Sequence, residues 1–129
     1  MSEARERWLA FAHEDLRVAE IALPEGLFNQ VCFHSQQCVE KALKALLAQS
    51  AVSLPRTHAI SELINLLPSG SLSGLREKLA HLDAYYILTR YPDALPGDLP
   101  EGLPGKGEAE EALGLAREVM RRVDVPGSH

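Results

Sequence analysis

Residues 28 to 50, FNQVCFHSQQCVEKALKALLAQS, set the strongest constraint on how this chain folds. Cys32, Ser35, Val39, Ala42, Leu43 and Leu46 recur at helical spacing and share one face, while Gln37, Glu40, Lys41 and Lys44 form a polar stripe. This is the longest and most apolar helix that the sequence predicts. It therefore belongs at the centre, with its neighbours packed around it.

The neighbours are helical too. Over residues 3–22, Leu9, Ala12, Leu16, Ala19 and Leu23 keep a 3.6-residue rhythm, Trp8, Phe11 and Val18 widen the stripe, and Pro24 and Gly26 end it. A short third helix is expected around Ile60, Leu63, Ile64 and Leu67, with Thr57 capping its first turn and Pro68-Ser69-Gly70 closing it. A fourth spans about residues 75–89, with Leu75, Leu79, Leu82 and Tyr86 on one side. A fifth spans about 108–123, with Ala112, Leu115, Ala116, Val119 and Val123 inward. No segment alternates with period two. The fold class is all-α: an antiparallel up-and-down bundle of about five helices.

Length and composition fit one domain. At 129 residues the chain is long enough to bury a core without staples, and a formal charge of −5 argues against a general nucleic-acid coat protein. The N-terminus lacks the basic-then-apolar order of a signal peptide, and no run is long enough to span a membrane, so a cytoplasmic, membrane-free protein is expected. Cys32 and Cys38 lie on one helix and cannot bond to each other there, so reduced, partly buried thiols are expected.

Chemistry-bearing motifs are sparse. His13 begins "HEDLR", but Arg17 stands where a zinc-protease helix needs its second histidine. His34 and Cys38 make half of a zinc site with nothing to complete it, so neither a metal nor a cofactor is expected. "GKGE" at 105–108 is an entry to the fifth helix, whose Glu108, Glu110 and Glu111 answer the helix dipole. Arg76 and His81 suit metal-free RNA cleavage, histidine moving protons and arginine holding phosphate charge. Five helical positions turn their side chains about 140° apart, so a solvated charge pair on the outer face is the preferred explanation, and no catalytic residue is favoured.

The clearest interruption is Arg90-Tyr91-Pro92-Asp93, followed by Pro96, Pro100 and Pro104. Pro92 stops the helix near Arg90, and Asp93 can lock the junction by pairing with that arginine. As a working surface, Arg90 would receive a phosphate and Tyr91 would stack or fill a partner's groove. Arg56 and His58, at the start of the third helix, could join Lys41, Lys44 and Arg90 in a basic patch.

Four stretches in order, FHSQQCVEKALKALL (33–47), RTHAISELINLL (56–67), YYILTRYPD (85–93) and EAEEALGLAREVMRRV (108–123), resemble the HEPN domain, a small helical module of prokaryotes and of the eukaryotic protein sacsin. The resemblance assigns residues 9–123 to the domain, with 1–8 opening the first helix and 124–129 as a tail. It implies a homodimer, often working with a minimal nucleotidyltransferase in toxin–antitoxin systems. It implies either nucleotide binding or metal-independent ribonuclease activity through an arginine and a histidine separated by four to six residues. Arg76 with His81 and Arg7 with His13 fit that spacing. The arginine of TRYPD does not, because Leu95-Pro96-Gly97 follows where the histidine would stand. The expectation is a non-catalytic binding module for a nucleotide, RNA or nucleotidyltransferase, with Arg90, Tyr91 and Asp93 as its surface and Lys44, Arg56 and His58 as lesser contributors. Ribonuclease activity through Arg76 and His81 is the alternative.

Overall fold

A computed structural model describes residues 3–50, 53–85 and 103–123. Five helices are present among them: α1 (Glu3–Ala22), α2 (Phe28–Gln49), α3 (Ile60–Asn65), α4 (Arg76–Ala80) and α5 (Lys106–Val123). No strand occurs among the described residues. The all-α bundle read from periodicity is the fold.

α2 is central, packed against α1 and α5, with α3 on a further flank. A tight reversal makes α1 and α2 antiparallel. The Leu27 amide reaches back to the Ala22 carbonyl at 3.1 Å, and Gly26 supplies the left-handed residue (φ +74°) that this closure requires. The α1–α2 contact is built from small side chains. Ala12 and Ala19 on α1, and Cys38, Ala42 and Ala45 on α2, are all fully buried, so the two backbones can approach closely. Burial pushes both thiols up to about 12, that of Cys32 with Glu108 adding to the rise and that of Cys38 with Asp15.

Three expectations change. Phe11 and Val18 do not widen the inward face of α1: they stand 51% and 41% exposed, because the α2 contact is satisfied by the alanines. The fourth helix is short. α4 ends at Ala80, a turn occupies residues 81–82, and helical geometry resumes at 83–85. Nor does Thr57 cap α3. Its hydroxyl accepts from the Ala59 amide (3.0 Å) and donates to Glu62 (2.5 Å), forming a local turn before the helix.

The α3 cap comes from afar. Asp83 accepts hydrogen bonds from the Ile60 amide (2.5 Å), the Ser61 amide (3.1 Å) and the Ser61 hydroxyl (2.9 Å), satisfying the free donors at the α3 N-terminus. At the other end, Arg76 donates to the carbonyls of Ile64 (2.7 Å), Ser71 (3.2 Å) and Pro68 (3.4 Å). A six-residue helix has little stability of its own. Here both of its ends are held by one neighbouring segment. Asp83→Ala should cost about 1–2 kcal/mol, seen as a lower urea midpoint with an unchanged slope.

Candidate functional site: two carboxylate, lysine and histidine clusters on α2

The polar stripe of α2 is not a solvated face. Gln36, Gln37, Glu40 and Lys44 are all buried, and they and their neighbours sort into two clusters of the same composition. In each, one carboxylate holds one lysine and one histidine, and the lysine lies over an aromatic ring of α1.

The first cluster is closed. Glu40, 2% exposed, accepts from Lys44 Nζ at 2.9 Å and meets His58 Nδ1 at 3.2 Å. Gln37 donates to Glu40 at 3.2 Å and to Gln36 at 2.7 Å, and Gln36 donates to the His58 carbonyl at 3.1 Å. Lys44 Nζ sits 5.2 Å from the centre of the Trp8 ring, a cation–π distance. Glu40 is therefore the anchor of the segment before α3. Through it and Gln36, α2 fixes both the side chain and the backbone of His58, while the imidazole itself remains 56% exposed.

The second cluster is open. Asp15 of α1 meets His34 Nδ1 at 2.7 Å with one oxygen and Lys41 Nζ at 2.5 Å with the other. Lys41 Nζ lies 5.9 Å from the centre of the Phe11 ring. Burial alone would raise the Asp15 carboxyl, but the hydrogen bonds and charges of His34 and Lys41 hold it below its ordinary value. His34 and Lys41 are each about a quarter exposed, so this triplet reaches solvent through both its histidine and its lysine, whereas the Glu40 triplet does so only through the His58 imidazole.

The residues singled out in the sequence distribute unevenly over this geometry. Lys44 and His58 come together on Glu40. Arg56 lies exposed two residues before His58. Arg76 is partly buried on the Ile64 carbonyl of α3 and on two carbonyls of the segment that follows, not part of a solvated pair, and His81 is exposed in the turn that follows α4. Arg7 and His13 both lie on the exposed side of α1. Arg90, Tyr91 and Asp93 lie outside the described residues. At the α5 entry the Gly105 amide donates to Glu108 at 2.9 Å, so that donor already has its partner within the chain. No group of three or more metal-ligating side chains converges among the described residues. Asp15, Glu40 and Trp8 went unread as site residues, and His34 was weighed only as half of a zinc site. The Glu40–Lys44 spacing, acid four residues ahead of base on the central helix, was the available signal.

The sequence model of the HEPN domain matches residues 5–125. The chain belongs to the HEPN family. Among its relatives is a protein of Methanocaldococcus jannaschii, named "Putative toxin MJ1304", 32% identical over 129 aligned positions that span 84% of this chain and 78% of the relative. Among solved structures, TT1696 from Thermus thermophilus superposes with a TM-score of 0.80 at 38% identity, covering 96% of this HEPN chain and 98% of the other. ST0689, described as an archaeal HEPN homologue, gives 0.73 at 32% identity, with 93% and 94% covered.

The clusters make two measurable claims. Lys44→Met leaves Glu40 buried with its strongest partner gone and should cost roughly 3 kcal/mol or more, whereas adding Glu40→Leu should recover much of that loss. A double-mutant cycle in urea measures it. Because the folded pKa of Asp15 lies below its ordinary 3.8, its contribution is fully present above that value and is lost as pH falls through the folded pKa. Acid titration of stability should therefore be shallower in Asp15→Asn than in the parent below about pH 4.

Proposed function

We propose that this HEPN chain acts as a non-catalytic binding module, a homodimer that engages a nucleotide or a minimal nucleotidyltransferase as one half of a toxin–antitoxin pair. The observation that carries the non-catalytic reading is the occupation of Arg76. Its guanidinium donates to three carbonyls around the end of α3. An arginine whose N–H groups are committed in this way has few donors left to grip a phosphate in transit. The name of the Methanocaldococcus jannaschii relative supports the toxin–antitoxin setting.

In this reading the recognition surface combines Arg90, Tyr91 and Asp93 with Arg56 and the exposed imidazole of His58. Lys44 contributes from beneath by holding Glu40, which in turn fixes His58. A ribonuclease reading through Arg76 and His81 has one observation of its own: His81 stands exposed at a turn, open to a substrate.

Purified protein incubated with RNA in EDTA separates the two. The binding module gives no cleavage, and nucleotide or partner affinity falls at least tenfold in Arg90→Ala and measurably in His58→Ala. Cleavage that disappears in His81→Ala would make the chain a ribonuclease and overturn the proposal.

A further inference from the structure

Burial divides α1 into two faces. Leu9, Ala12, Asp15, Ala19 and Ala22 turn inward, while Phe11, Val18 and Ile21 stand 51%, 41% and 53% exposed. These three are not scattered. With Arg7 and Glu14, also exposed, they fall at 7, 11, 14, 18 and 21, the alternating four-and-three spacing by which one helix presents a seam to another. Three large apolar side chains aligned along one helix face that no other described element covers mark a contact surface more strongly than isolated exposed residues do.

The charges on the seam say what covers it. Place a second α1 antiparallel across a two-fold axis near residue 16, so that position i faces position 32 − i. Phe11 then meets Ile21 of the second copy, twice by symmetry. Val18 covers the stem of the opposite Glu14, whose carboxylate comes beside the opposite Arg17, and Arg7 reaches toward the exposed Glu25 in the turn after α1. Sliding one helix by a heptad in either direction breaks this match. One slide sets Glu14 against Glu25, like against like, and the other sets Phe11 on Glu14 and Val18 on Arg7. The sequence of this face is complementary to itself in one register.

We infer that α1 is the face through which two copies of this chain pair, antiparallel, in the register that joins Phe11 to Ile21 and Glu14 to Arg17. The inference deepens the homodimer proposed above by naming its surface. It also has a consequence for the site. Phe11 belongs both to the seam and to the open cluster, where it carries Lys41. Pairing through α1 sets the Asp15, His34 and Lys41 triplet of each copy at the rim of the interface, so that the two triplets flank one axis.

Sedimentation equilibrium on the full chain, with circular dichroism to confirm the fold, tests this. The parent should sediment as a dimer, and Ile21→Glu, a change at an exposed position, should weaken dimerisation at least tenfold while leaving the fold intact. Glu14→Arg and Arg17→Glu should each weaken it, and the two together should restore it. A monomeric parent at about 100 μM, the weak end of stable pairing, would overturn the interface and the homodimer together. A dimer indifferent to Ile21→Glu and to the charge exchange would overturn this interface while leaving a homodimer through another face.

Discussion

A charge taken out of water is stable only beside its partner, and the middle of α2 takes two charges of opposite sign into its packed surroundings. The Glu40–Lys44 pair is nearly completely buried, and its remaining hydrogen-bonding capacity is filled by Gln37 and His58. The arrangement ties three parts of the chain together. Trp8 of α1 lies against the lysine, α2 supplies the pair itself, and the segment entering α3 hangs from the carboxylate through His58. Apolar side chains of similar volume would hold the helices at least as well. What they would not do is fix one imidazole at the surface in one orientation.

The same economy of long-range polar contacts governs α3. It is too short to hold itself, so Asp83 and Arg76 close its two ends from the adjoining segment. Position and identity of these residues are then explained by structure before any chemistry is invoked. Arg5 does similar work elsewhere, donating to the Val123 carbonyl at the end of α5 at 2.8 Å. Three arginine or aspartate side chains that a motif search would examine for phosphate chemistry thus have their hydrogen bonds directed at helix ends.

The helices themselves were legible because their signal is local. α1 carries its full apolar rhythm and a Pro-Gly stop, and its limits were read correctly; α2 was read to within one residue. The family was legible for a related reason, since QQCVEKALKA and TRYPD follow one another in fixed order along the sequence. What escaped was set by partners distant in sequence. Glu40 and Lys44 read only as part of a polar stripe, because their burial depends on Trp8 and on a segment 18 residues downstream. The Asp83 cap reaches back 22 and 23 residues to Ser61 and Ile60, so no local pattern could displace Thr57 from that role. Phe11 and Val18 were drawn inward by their hydrophobicity alone, where the geometry gave the inner face to alanines.

These contacts assign α2 the task of presenting His58 and its neighbours, and assign Arg76 the task of closing α3. Amide and imidazole NMR spectra recorded during a titration with AMP measure that division directly. The account predicts saturable shift changes at residues 54–58 and at their contacts on α2, with Ile64, Ser71 and Arg76 unmoved. Changes centred on Arg76 and His81, with 54–58 silent, would contradict it.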